Sequence, residues 1–403
     1  MIRFLTTYTS LLVFFIYSCS KDSSSVDTDT GLTDDPSISE PNNIVSIENE
    51  VVHNAALLNN LLNLVSQESL EVDLDDVSKK KITYSTVDLN QKPIVASGVL
   101  FLPQNKELKG IVFLQHSTIQ SDEFAPSNSS IGLNEYTLGA LYAALGYYTL
   151  LPDHIGYGIS SDKVHPYEIK NAYTFSSYDF LLAGHSFLEK QNLEIPKDLV
   201  LVGYSNGGYA SLSFHQFLEK ETEFTVKATY SSAGAYDKSA FSKNILIENQ
   251  ELNFMGTYLW VLDVYNRRYT NLNRSWDNYI TEPYASNISS LGALEYSVPD
   301  SLLNRNPQLL FQPAFVSGIL DGNDQDLIGV LEENSVVNWN PKAPVFLFHG
   351  SEDDFVFPII SENAFESLQN NGANIKYQVL EDKNHVEAAI PFYTEVLKSL
   401  QSL

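Results

Sequence analysis

Ser205 lies in Gly203-Tyr204-Ser205-Asn206-Gly207-Gly208, a Gly-x-Ser-x-Gly run with one more glycine behind it. An apolar stretch, residues 199–202, precedes it, and Ala210, Phe214, Phe217 and Leu218 follow at helical spacing. A chain that turns from strand to helix within a few residues has no room for side chains beside the turning residue. Glycine at 203 and 207 meets that need and leaves the Ser205 hydroxyl at the tip. The helix start beneath it offers free N–H groups and a positive dipole end, suited to a developing oxyanion. A serine hydroxyl is a poor nucleophile until a base takes its proton, and the base needs an orienting partner. Two later stretches supply both. The apolar residues 345–348 run into His349-Gly350-Ser351-Glu352-Asp353-Asp354, and residues 375–380 run into Glu381-Asp382-Lys383-Asn384-His385. The expected roles are Ser205 as nucleophile, His385 as general acid/base and Asp353 as orienting acid, with Asp354 competing for the last. Glu381 and Asp382 are too close to His385 along one turn to bond its ring in the needed orientation. No spacing of histidines and acids matches a zinc site, so neither metal nor cofactor is expected.

The elements that must hold these residues read as alternating strands and helices. Leu57, Leu58, Leu61, Leu62 and Val65 fit a short amphipathic helix. Residues 82–87 and 94–102 fit two strands joined by a hairpin loop. A third strand is expected at 109–114, then a helix at 135–145, a strand at 147–151 ending in Pro152-Asp153, and a helix at 175–190. Strand 199–204, helix 207–220 and strand 227–231 complete this run. Such alternation predicts an α/β fold: a mostly parallel sheet covered by helices on both faces and opened by an antiparallel pair. From about residue 238 to 338 the alternation stops. Pieces rich in Tyr, Trp, Asn and Leu follow, and strands resume at 345. Because ligand sites of open sheets lie at the carboxyl ends of strands, this insertion is expected to be a helical cap over the site.

Composition narrows the class. The chain has 403 residues, and its formal net charge of −26 argues against nucleic acid and against a basic membrane-binding face. One cysteine, Cys19, rules out an intrachain disulfide. Met1-Ile2-Arg3 gives a short positive start, and residues 11–16 form an apolar core too short to span a bilayer comfortably. Ile16-Tyr17-Ser18-Cys19 resembles the lipobox of a bacterial lipoprotein signal, with Tyr17 bulkier than usual there. The resemblance implies removal of residues 1–18, lipid on Cys19, and attachment to a membrane only through that lipid. Ser20-Lys21-Asp22 looks like the export signals of surface lipoproteins in Bacteroidetes-type bacteria. Residues 19–48 are expected to form a disordered tether, since most of them are too polar to bury a core.

Taken together, the motifs resemble an α/β-hydrolase of the secreted lipase/esterase type, close to the fungal secretory-lipase (lipase A-like) group and its bacterial relatives. Prolyl-oligopeptidase-type peptidases share that catalytic core. The matching pieces are the Ser205 motif, Trp339-Asn340-Pro341-Lys342-Ala343-Pro344 leading into His349–Asp353, Asn384-His385, the two-strand opening and Pro152-Asp153-His154-Ile155-Gly156-Tyr157-Gly158. They span roughly residues 80–403. The resemblance implies Asp353 rather than Asp354 as the acid, and an oxyanion hole built by the N–H of Asn206 and a second donor from Gln115-His116-Ser117-Thr118. Similar proteins often carry His-Gly there, and Ser117 stands where that glycine would be. The implied organisation is a core of residues 49–237 and 339–403 with a cap of residues 238–338. The implied activity is hydrolysis of a small-molecule ester at the cell envelope. A peptidase on the same scaffold, or a surface binding protein that has lost catalysis, are the alternatives.

Overall fold

A computed structural model describes residues 43–66, 70–132 and 134–403. The expected signal at 1–18 and Cys19 lie outside the described residues. The chain enters as β1 (Ile44–His53), α1 (Ala55–Ser66), β2 (Val77–Val87), β3 (Pro93–Pro103) and β4 (Gly110–Gln115). It continues as α2 (Glu135–Ala144), β5 (Tyr147–Pro152), α3 (Lys170–Lys190), β6 (Asp198–Tyr204), α4 (Asn206–Glu221) and β7 (Thr225–Ser232). Six helices follow, α5 (Lys238–Ile247), α6 (Met255–Arg268), α7 (Tyr284–Ser289), α8 (Pro307–Leu310), α9 (Pro313–Leu320) and α10 (Gln325–Glu333). The sheet then resumes with β8 (Val345–Gly350), α11 (Pro358–Asn370), β9 (Ile375–Leu380) and α12 (Ala389–Ser402).

The nine strands form one sheet in the order β1-β2-β3-β5-β4-β6-β7-β8-β9. Pairing is antiparallel from β1 through β5 and parallel from β5 onward. Alternate residues of the central strands feed opposite cores, as the two-residue period requires. Val112, Leu114, Val200 and Val202 pack with α1, α2 and α12, whereas Ile111, Phe113, Leu199 and Leu201 pack with α3 and α4. Both faces being covered explains why these strands read as unbroken apolar runs. Each such side chain contributes about 1.5–3 kcal/mol by burial.

One expectation needs correction. Ile44–Glu48, placed in the tether, form the first half of β1, paired to β2. Val45, Ile47, Val51 and Val52 are all exposed, and the register shifts twice along the strand. An edge strand of this kind is held by backbone hydrogen bonds more than by burial, so it leaves a weak apolar pattern.

The segment between β7 and β8 contains no strand of the sheet. It has its own apolar cluster, including Leu259, Trp260, Ile280, Leu310 and Ile319. Trp260 stacks on Tyr167, with ring centroids 4.0 Å apart and planes 9° from parallel. Among the described residues no helix is long and apolar enough to cross a membrane.

Candidate active site

Three strand ends converge. Ser205 stands between β6 and α4 at φ 55° and ψ −123°, a strained conformation for a residue with a side chain. Its N–H donates to Ser232 O at 2.8 Å, tying the turn to the end of β7. The flanking glycines are required by contact. A Cβ on Gly203 would lie 2.0 Å from Gly207 O, and one on Gly207 would lie 2.2 Å from Gln115 O.

His385 follows β9, and Tyr204 pins its loop by donating its hydroxyl to His385 O at 2.5 Å. His385 Nδ1 is 2.7 Å from Asp353 Oδ2, and His385 Nε2 is 2.9 Å from Ser205 Oγ. A carboxylate only accepts, so Nδ1 donates and a neutral ring leaves Nε2 to accept the serine proton. Phe355 meets the His385 ring at 66°, with centroids 4.9 Å apart. All three polar residues are buried.

Asp353 is fixed from every side. Its Oδ1 accepts from the N–H groups of Phe355 and Val356, both at 2.9 Å. His349 Nε2 lies 3.0 Å from Oδ2 and 2.6 Å from Val356 O, while Ser361 Oγ is 2.6 Å from His349 Nδ1. His349 therefore braces the acid's turn. Burial pushes the Asp353 carboxyl up, but the hydrogen bonds from His349 and His385 outweigh it and hold it well below the usual carboxylate range. Asp354 points elsewhere and accepts from Asn253 Nδ2 at 2.8 Å.

The oxyanion expectations divide. Asn206 opens α4, where the first N–H has no intrahelical partner. Ser117 requires correction as the second donor, because its N–H donates to Glu135 Oε1 at 3.1 Å. Ser117 Oγ donates to the same carboxylate oxygen at 2.5 Å, so hydroxyl and N–H together hold the Glu135 carboxylate at the start of α2. Behind this loop, His116 Nε2 sits 3.0 Å from Asp153 O, Asp153 Oδ1 accepts from Ser127 N–H at 2.7 Å, and Tyr157 donates to Ile119 O at 2.8 Å. These contacts fix loops.

Beside Ser205 is a cavity of about 80 Å³. Phe241, Ile245, Tyr258 and Val261 from α5 and α6 wall it, with Phe355 and Val356 on the acid's loop. Tyr258 donates its hydroxyl to Phe355 O at 2.7 Å, linking the insertion to that loop. Two charged residues escaped the sequence reading. Glu168 and Lys238 both line the cavity and form a buried ion pair, with Lys238 Nζ 3.5 Å from the Tyr209 ring centroid. Burial pushes the Lys238 ammonium well below its ordinary range. The one local hint is a lysine placed directly after the helix cap Asp237, where the dipole disfavours a cation. Among the described residues no group of three or more His, Cys, Asp or Glu side chains is placed to hold a metal.

No family model matches the chain, and no curated protein matches it in sequence. Solved structures do match. A protein from Legionella pneumophila, provisionally described as a hydrolase, is 22% identical over 88% of this chain and 97% of its own, with a TM-score of 0.75. The rice cell wall degrading esterase LipA from Xanthomonas oryzae is 19% identical over 89% of this chain and 96% of its own, with a TM-score of 0.70. Lipase A of Candida antarctica in its closed state is 15% identical over 87% and 79%, with a TM-score of 0.62.

Proposed function

We propose, from the premise that this chain has the α/β-hydrolase fold of those structures, that it is a serine hydrolase cleaving carboxylic esters. The observation that carries the reading is the unbroken chain of hydrogen bonds from Ser205 through His385 to Asp353 beside an apolar cavity. In this reading His385 takes the Ser205 proton as Oγ attacks the ester carbonyl, and the tetrahedral oxyanion is met by the Asn206 N–H at the α4 start. Collapse expels the alcohol, which takes its proton from His385, and leaves an acyl-enzyme. Water, deprotonated by the same imidazole, then releases the acid. Names of structural neighbours carry little weight for activity on a shared fold, so the site bears the argument.

The cavity favours a short acyl group. Phe241, Ile245, Tyr258 and Val261 close in on the cavity beside Ser205, so a short chain fits against them more readily than a long one. Purified protein is expected to cleave p-nitrophenyl acetate and butyrate with kcat/KM at least about tenfold above p-nitrophenyl decanoate. Equal or faster cleavage of the decanoate ester would contradict a short-acyl preference and leave the cavity to the alcohol part of the ester.

A peptidase reading gains no support here. Capturing a peptide's N-terminal ammonium calls for an uncompensated acid in the cavity, and Glu168 is already paired with Lys238. For location, we propose a lipid anchor at Cys19 on the cell envelope, supported by the Ile16–Cys19 motif alone. Cys19→Ser is expected to move the protein from the membrane to the soluble fraction and to remove the acyl mass from its N-terminal peptide. Unchanged fractionation would contradict it.

A further inference from the structure

Glu168 and Lys238 place full charges in a cavity wall that is mostly aromatic and aliphatic. They lie 70 residues apart, Glu168 in the loop ahead of α3 and Lys238 at the start of α5. Each departs from what its backbone position favours. Glu168 has φ 62°, which costs a residue with a side chain about 1–2 kcal/mol. Lys238 puts a cation at the positive end of a helix. Local rules broken in this way are expected where a site, rather than stability, sets the residue.

The pair is also incompletely satisfied. Glu168 is clamped by its main chain, since its N–H donates to Tyr173 Oη at 3.0 Å and its carbonyl accepts from Tyr265 Oη at 2.9 Å. Its Oε2 accepts from Lys238, but among the described residues its Oε1 has no hydrogen-bond partner. Lys238 Nζ donates to that carboxylate and faces the Tyr209 ring, with no further acceptor among the described residues. Buried ion pairs repay their desolvation only when the remaining lone pairs and protons also find partners. An open acceptor and an open donor side by side, with no net charge, match a neutral group that both donates and accepts. A hydroxyl does this. An added ammonium or carboxylate would leave the cavity with a net charge, and an alkyl group would leave both partners unmet.

We propose that Glu168 and Lys238 form a hydroxyl-recognition subsite beside Ser205, so that the ester cleaved here carries a hydroxyl on whichever part, acyl or alcohol, enters the cavity. The proposal rests on the ester-hydrolase reading above. Two substrate pairs distinguish the sources of the hydroxyl: p-nitrophenyl 3-hydroxybutyrate against p-nitrophenyl butyrate, and 2-hydroxyethyl butyrate against ethyl butyrate. In one pair the wild-type kcat/KM is expected to favour the hydroxylated ester by about tenfold or more. Glu168→Gln is expected to bring that ratio to within about twofold of unity. Because this single change leaves a buried cation unpaired and the chain then risks unfolding, E168Q/K238M, which removes both charges, is measured alongside it and is expected to show the same loss. A wild-type ratio at or below unity in both pairs overturns the subsite. So does a tenfold ratio that survives in the folded double variant. Cleavage of none of the four esters overturns the ester reading itself and the subsite with it.

Discussion

Ser205→Ala is expected to lower kcat/KM for p-nitrophenyl acetate by about ten-thousandfold or more, with thermal unfolding close to that of the wild type. The size follows from the geometry. Ser205 Oγ is the only hydroxyl placed against His385 Nε2, at 2.9 Å among the described residues, so no neighbour stands ready to replace it as nucleophile. Alanine loses Oγ alone and keeps the N–H to Ser232 O that fixes the turn. It also keeps the unfavourable φ of 55°, so the strain is neither relieved nor increased. Activity would fall while the fold persists. A residual rate within tenfold of the wild type would remove Ser205 from the mechanism.

The second large effect is expected at the acid. Asp353→Asn should lower kcat by about ten-thousandfold. The two oxygens of Asp353 are not equivalent. Oδ1 accepts from two backbone N–H groups, whereas Oδ2 faces His385 Nδ1. An asparagine would place its oxygen at the first position, because its NH2 would clash there with two donors. Its NH2 would then donate to His385 Nδ1 and drive the ring proton to Nε2, the tautomer that cannot accept from serine. The same substitution should change acid stability. The folded-state carboxyl is held below its unfolded value, so its stabilisation is full above the ordinary carboxylate range and is lost as pH falls through the depressed folded value. The asparagine variant should lack that component, giving a shallower loss of stability on acidification in urea unfolding at stepped pH. Parallel acid profiles for the two proteins would contradict this electrostatic account.

Both effects trace to features that were legible locally. Ser205 and Asp353 each follow a nearly fully buried strand, and strands buried on both faces leave unbroken apolar runs. His385 instead follows β9, an edge strand with only Ile375 and Leu380 buried. Where those strands lie in the sheet is not local information. The order places β6, β8 and β9 on one side of β4 with only β7 between the serine and the acid, and three side chains from distant sequence positions meet there. The features that escaped are those whose cause is tertiary. β1 is an exposed edge with register shifts, so its apolar residues look like those of a loop. Ser117 fits the oxyanion loop by position, yet its hydroxyl and its N–H both donate to Glu135 of the next helix, a contact only the fold creates. Glu168 and Lys238 resemble ordinary surface charges until the fold buries them against each other.

The central claim is that His385 activates one hydroxyl, that of Ser205. Incubating the purified protein with a fluorophosphonate and locating the adduct by peptide mass spectrometry tests it directly. The account expects a single phosphonyl group on Ser205, formed rapidly in the wild type and greatly slowed in His385→Ala. No adduct on the folded wild type, or an adduct on another residue with Ser205 unmodified, would contradict it.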